Sequence, residues 1–175
     1  MATQSEPAAH GRPPVPSMAV EHAQETAATA PAQVLVVDSI VLTGTAASRD
    51  AAINEAGGLL LARGAVNAEY VASMHAREAT VSTYMGNFLA IPHGTNGAKG
   101  NISSTAVSFI RYPEGIDWDG MEVRFVVGIA GLNNEHLAIL SSVARVFTDR
   151  ERVSRLETAT TREEVLEIFG KVNAS

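Results

Sequence analysis

Between Val123 and Ala130 the chain is almost continuously apolar. An unbroken apolar run marks a strand covered on both faces, so this stretch must lie at the centre of a sheet with a layer on each side. Thr105 to Tyr112 alternates well enough to be a second strand. The connection from Pro113-Glu114-Gly115 through Asp119-Gly120 reads as a loop, short enough to favour antiparallel pairing of the two. Trp118, the single tryptophan, falls in that loop and is expected to act as a hydrophobic lid over a sheet edge.

Elsewhere the signals are mostly helical. Val34-Leu35-Val36-Val37 and Ile40-Val41-Leu42 are β-branched and apolar, which predicts strand. Ser48 offers an N-cap to a helix carrying Ile53, Ala56, Gly57, Leu60 and Leu61, ended by Gly64. Asn67 can cap a second helix with Tyr70, Val71 and Met74 on its stripe, running out near Glu78. Gly97, Gly100, Asn101 and Ser103 mark irregular chain with room for one helical turn. Asn133 or Asn134 then caps a helix with Leu137, Leu140, Ala144 and Phe147 on its apolar face. A helix with Val153 and Leu156 follows a turn at Thr148-Asp149. A capping box from Thr161 to Glu164 opens the last helix, which buries Val165, Ile168 and Phe169. Helices before and after a mixed set of strands predict an α/β fold, a single three-layer α/β/α domain with a mixed, mostly buried central sheet.

Residues 1–33 are rich in Ala, Pro, Glu, Gln, Ser and Thr and hold almost no large apolar residue, so they read as a disordered tail before a domain over 34–175. His10 and His22 in that tail are given no role. Of 175 residues, 46% are hydrophobic and 18% charged, enough for one globular domain with a sizeable core. A net charge of −6 argues against general nucleic-acid binding. No apolar run is long enough to span a bilayer, and the N-terminus lacks a secretory pattern, so a cytoplasmic protein is expected. The absence of cysteine excludes disulfides, thiolate catalysis and zinc–thiolate sites.

The chemistry concentrates in Tyr84-Met85-Gly86-Asn87-Phe88-Leu89-Ala90-Ile91-Pro92-His93-Gly94-Thr95. Phe88 to Ile91 reads as a buried strand stopped by Pro92. His93 then stands at its carboxyl end, where open α/β proteins place reactive groups, and Gly94 leaves its far side clear. A neutral imidazole there is a nucleophile that needs no metal. The plain alternative is a turn histidine.

Arg77-Glu78, Ser82 to Asn87, Leu89 to Thr95 and Asn134-Glu135-His136-Leu137 together resemble the mannitol/fructose-type enzyme IIA of the bacterial phosphoenolpyruvate-dependent sugar phosphotransferase system, the mannitol branch most closely. The likeness runs from about Ile40 to Gly170 and implies the same α/β/α fold. It implies that His93 is the phospho-acceptor, that Arg77 contacts the phosphoryl group and that His136 supports it. The donor it implies is the small carrier protein HPr, and the acceptor the enzyme IIB domain of a membrane permease. No cofactor or metal is implied.

Each role has an ordinary counterpart. An arginine late in a helix usually complements the helix dipole, and a histidine near a helix start is usually a surface residue. A guanidinium does suit phosphoryl oxygens, and a helix N-terminus suits anions. Thr83, Asn87 and Thr95 are supporting candidates that could orient a ring or close a turn. Glu78, which would repel a phosphate, is expected to hold Arg77 or serve the fold, and His75 to be a partly buried structural residue. No HExxH, GxSxG or GxxxxGK[ST] pattern is present, which speaks against a zinc hydrolase, a serine hydrolase and an ATP-dependent enzyme. The rival reading is a regulatory, phosphorylatable module that signals by binding a partner.

Overall fold

The computed structural model describes residues 33–174. The expected tail, with His10 and His22, lies outside them but for Gln33. One mixed sheet has the strand order β1-β4-β5-β3-β2, formed by Ile40–Val41 (β1), Tyr84–Gly86 (β2), Leu89–Ala90 (β3), Ala106–Trp118 (β4) and Met121–Ala130 (β5). The apolar run is indeed the middle strand, antiparallel to β4 and parallel to β3. Helices Arg49–Ala62 (α1) and Ala68–Thr80 (α2) cover one face. Glu135–Thr148 (α3), Arg150–Thr158 (α4), Arg162–Ile168 (α5) and Gly170–Ala174 (α6) cover the other.

Alternation along the strands divides the core between these layers. Val107 and Phe109 of β4 join Phe125, Val127 and Ile129 of β5 under α3–α6. Ala106, Ile110, Val126 and Ala130 point to α1 and α2. On that side α1 approaches closely because Ser108 and Gly128 are cross-strand partners. The Ser108 hydroxyl donates to the Ala56 carbonyl at 2.9 Å, and a Cβ on Gly128 would lie 2.6 Å from the Ser108 hydroxyl oxygen. Three of the four expected caps form: Ser48, Asn67 and Thr161 accept from the backbone N–H of Ala51, Tyr70 and Glu164. Gly64, at φ +80°, ends α1.

Four sequence expectations are corrected. Val34–Val37 is not a strand: the chain bends and closes a short 3-10 turn at Val37–Ser39. The Asn173 side chain takes the place of a neighbouring strand, accepting from Leu35 N–H at 2.8 Å and donating to its carbonyl at 3.1 Å. Residues 113–120 are not a loop, because β4 runs on to Trp118 and turns back at Asp119-Gly120 with φ of +54° and +93°, a two-residue hairpin turn. Pro113-Glu114-Gly115 belongs to a bulge in which Tyr112 to Gly115 stand opposite Arg124 alone. Trp118 is therefore fully buried under α2, and its indole N–H donates to the Glu78 carboxylate at 2.7 Å. Phe88 is not a core strand residue. With Asn87 it forms the turn between β2 and β3, at φ +64° and +52°, and it is 38% exposed.

Candidate active site

β3 and β5 run parallel, and their carboxyl ends deliver the two central histidines. His93 follows β3 through Ile91 and Pro92 and pairs in parallel with Ile129 of β5. Ile129 N–H donates to the Pro92 carbonyl at 3.0 Å. The Tyr70 hydroxyl completes the attachment, accepting from Gly94 N–H at 2.9 Å and donating to the Ile129 carbonyl at 2.7 Å. Gly94 is required here, since a Cβ would stand 2.5 Å from both the Tyr70 ring and the Ser73 hydroxyl.

His93 itself is half-buried, with Nδ1 2.8 Å from the Ile91 carbonyl oxygen. A carbonyl only accepts, so Nδ1 carries the proton and Nε2 keeps its lone pair. Burial lowers the His93 pKa, as does the charge of Arg77, against opposing contributions from the Ile91 contact and Glu78. The ring is thus neutral at cellular pH, in the tautomer that leaves Nε2 nucleophilic.

His136 lies in the first turn of α3, its ring centroid 5.0 Å from that of His93. Gly131, just past β5, allows this approach: a Cβ there would lie 2.6 Å from the His136 Cα. Burial pushes the His136 pKa down to about 4, helped by His93, Lys99 and Arg77. Asn134 occupies the N-cap position without a side-chain bond, and Asn133 takes a left-handed φ of +54°. The apolar face of α3 is also corrected: Ile139, Val143, Val146 and Phe147 are buried, while Leu137 is 67% exposed. The i, i+4, i+7, i+8 spacing of those four buried residues leaves Leu137 on the outer side of the helix, next to His136 in sequence.

Arg77 stands at the end of α2, where Nη1 donates to the Val81 carbonyl at 2.8 Å, and its charge acts on both histidines. Glu78 does not hold Arg77. It is 3% exposed and accepts from Thr83 N–H, the Thr83 hydroxyl and Trp118. Thr83 is accordingly engaged beneath the site, its carbonyl accepting from Ile91 N–H at 3.1 Å. Asn87 sits at the β2–β3 turn and donates to the Phe147 carbonyl at 2.9 Å, so it ties the hairpin to α3 rather than joining the histidines. Thr95 precedes a 3-10 turn over Asn96–Asn101 and caps it without its side chain. His75 is half-buried and bonded to Asn54, as a structural residue would be.

Two contributors escaped the sequence reading. Tyr70 was counted only as an apolar-stripe residue, although a buried phenol needs a partner for its hydroxyl. Lys99 carries no sequence signal of its own beyond being the lone Lys or Arg between Arg77 and Arg111.

The class of protein is defined by this arrangement: a three-layer α/β/α domain that presents a neutral, tautomer-fixed imidazole at a strand end, with a second imidazole and cations beside it. The chain belongs to the family described as phosphoenolpyruvate-dependent sugar phosphotransferase system, EIIA 2, which matches residues 33–172. Among curated relatives, the mannitol-specific phosphotransferase enzyme IIA component of Bacillus subtilis is 44% identical over 142 residues, covering 81% of this chain and 99% of that protein. Its counterpart in Halalkalibacterium halodurans is 44% identical over 140 residues, 80% of this chain and 97% of the relative. Among solved structures, IIA mannitol from Escherichia coli superposes with a TM-score of 0.71 at 38% identity, over 77% of this chain and 97% of that one. The same component in complex with phosphorylated enzyme IIB matches equally well, with TM-score 0.71, 37% identity and coverage of 77% and 95%.

Proposed function

We propose that this chain is the enzyme IIA component of a mannitol phosphotransferase system, taking a phosphoryl group from phospho-HPr onto Nε2 of His93 and passing it to enzyme IIB of a membrane permease. The observation that carries the reading is the Nδ1–Ile91 carbonyl contact, which leaves Nε2 unprotonated and fixed in place. In the first transfer the Nε2 lone pair attacks phosphorus, a new N–P bond forms, and the N–P bond to the donor histidine breaks with its electron pair staying on the donor. The second transfer reverses these roles, with a IIB cysteine or histidine as nucleophile. Arg77 and His136 steady the non-bridging oxygens, and the catalysis is positioning and charge neutralisation. Both steps take place in the cytoplasm, and among the described residues no helix is long and apolar enough to cross a membrane.

The surroundings suit docking by proteins. Val81, whose carbonyl holds Arg77, is 58% exposed, and Leu137 next to His136 is 67% exposed. Depressions of about 340 Å³ beside Phe88 and Phe147 and about 450 Å³ between α1 and α2 have neither histidine in their walls. The reading as a regulator draws on the likeness to nitrogen regulatory protein IIA-Ntr from Neisseria meningitidis, with TM-score 0.68 and 29% identity over 78% of this chain and 96% of that one. The 44% identity to mannitol components favours transport.

The test is intact mass after incubation with phosphoenolpyruvate, enzyme I and HPr, on the wild type and His93→Ala, followed by addition of mannitol permease and sugar. One acid-labile phosphoryl group on the wild type, none on the variant, and its release by mannitol are expected. Label retained on His93→Ala would move the acceptor elsewhere. Label that mannitol never discharges would favour the regulator.

A further inference from the structure

The register of β3 on β5 carries through to the acceptor: His93 stands opposite Ile129 as Leu89 stands opposite Phe125. In a parallel ladder one residue bonds both chain neighbours of its partner, one through its N–H and the other through its carbonyl. The first of these bonds is direct, from Ile129 N–H to the Pro92 carbonyl at 3.0 Å. The second, from Gly94 N–H to the Ile129 carbonyl, passes through a side chain. Gly94 N–H donates to the Tyr70 hydroxyl at 2.9 Å, and that hydroxyl donates to the Ile129 carbonyl at 2.7 Å. An oxygen atom is thus inserted into the ladder one residue past His93.

Tyr70 and Ile129 are both buried. The Tyr70 ring lies against Gly94, where a Cβ would come within 2.5 Å of it, so packing aims the hydroxyl. Tyr70 belongs to α2, and Arg77 follows it by seven residues, two turns along the same face. Past Ile129 the strand ends at Ala130, and Gly131 packs on His136. One hydroxyl therefore fastens together the segment of His93, the helix that carries Arg77 and the strand that leads to His136. A direct ladder bond sets N and O about 2.9 Å apart, whereas the inserted oxygen holds Gly94 N–H and the Ile129 carbonyl two hydrogen bonds apart.

We propose that Tyr70 is a positioning residue for the phosphoryl transfer, its hydroxyl a spacer that holds His93 off the end of β5 at the setting its Nε2 needs relative to His136 and Arg77. The proposal rests on His93 being the acceptor. Without the hydroxyl, Gly94 N–H and the Ile129 carbonyl are left to each other, and closing that gap draws His93 towards β5. A small displacement of a reacting atom is costly in rate, which is what makes a spacer effective. The buried phenol leaves the docking surface for the donor as it is.

The experiment compares wild type, Tyr70→Phe and Trp118→Phe as full chains, the last a control that loses a different buried hydrogen bond. Single-turnover acceptance from phospho-HPr is timed across donor concentrations, per folded molecule, and couplings across backbone hydrogen bonds are read by NMR. In the wild type the Ile129 nitrogen should couple to the Pro92 carbonyl carbon, with no coupling from the Gly94 nitrogen to the Ile129 carbonyl carbon. Tyr70→Phe should gain that second coupling. Its maximal rate should fall by roughly three- to tenfold, with the half-saturating donor concentration unchanged and one phosphoryl group still on His93. Trp118→Phe should keep the wild-type rate. A direct Gly94–Ile129 coupling in the wild type overturns the proposal, even if Tyr70→Phe does not fold. So do a wild-type maximal rate in Tyr70→Phe and an equal slowing in Trp118→Phe. In each of these cases His93 still carries label. If the wild type takes no label on His93, the acceptor reading fails and the positioning role fails with it.

Discussion

At the end of the sheet where β4 turns into β5, cations sit among carboxylates. Arg49 bonds Asp50 and Asp119, and Arg124 bonds Glu122 and Glu157 while stacking 4.7 Å over the Phe88 ring. At the opposite end, where β3 and β5 finish, Arg77 donates to a carbonyl, Lys99 makes no ion pair among the described residues, and burial lowers the pKa of both imidazoles. Exposed pairs like those at the first end contribute little to stability, and nothing there attracts an anion. At the second end Arg77 and Lys99 form no ion pair among the described residues, in a chain of net charge −6. The difference separates charge that fastens the fold from charge kept available for a phosphoryl group.

Matched substitutions at the two ends should break this contrast if it is wrong. Arg77→Gln is expected to slow phosphoryl acceptance by roughly 10²–10³-fold, the effect of removing one preorganised donor to a transferring group. Arg124→Gln should stay within about threefold of wild type. Rapid-quench kinetics with phospho-HPr measures both, and equal effects would remove the distinction.

The next effect lies beneath the site and should appear in stability instead of rate. Trp118→Phe keeps the buried ring but withdraws a hydrogen bond from the Glu78 carboxylate, at a cost of about 1.5–3 kcal/mol. Urea denaturation should show that loss, while acceptance per folded molecule stays near wild type. A large rate effect would draw the Glu78–Thr83 network into the chemistry.

How much of this was legible in sequence follows from what each signal measures. The β5 run, the capped helices and the Pro92-His93-Gly94 stop report burial and local hydrogen bonding directly, and all three were readable. Apolarity misled at Phe88, which looks like core by periodicity yet occupies a left-handed turn and covers Arg124. Pro113 misled in the other direction. β1 pairs with β4 only at Phe109 and Ile110, so past Arg111 that side of β4 is an edge where a missing N–H costs little. The Asp119-Gly120 turn signal was present but outweighed by the proline. Leu137 misled by its apolarity alone, because Ile139, Val143, Val146 and Phe147 keep the i, i+4, i+7, i+8 spacing that puts Leu137 on the outer side of the helix. Among site residues His93, Arg77 and His136 came from resemblance, whereas the tautomer at Ile91 and the Tyr70 hydroxyl bridge emerge only from the assembled backbone.

That bridge supplies a prediction of intermediate size. Tyr70→Phe leaves Gly94 N–H and the Ile129 carbonyl without their shared partner, at a cost of about 1–2 kcal/mol. Because the hydroxyl also joins the His93 segment to the strand leading towards His136, acceptance should slow several-fold at constant stoichiometry. Lost stability with an unchanged rate would make Tyr70 a fold residue like Trp118.

The smallest effect is with pH, and its sign is fixed by the direction of the histidine shifts. The folded protein holds His136 neutral down to about 4 and also lowers His93, whereas an unfolded histidine protonates near 6.5. Below that value the unfolded chain binds more protons, so these groups add stability above pH 6.5 that is lost progressively as the pH falls towards 4. Both rings are partly exposed, so the loss is a fraction of the full linkage value. Urea midpoints at pH 7 and pH 5 should therefore fall further for the wild type than for His136→Gln, which retains polarity but cannot titrate. An equal fall in the two would show that His136 is not the group through which the fold feels acid.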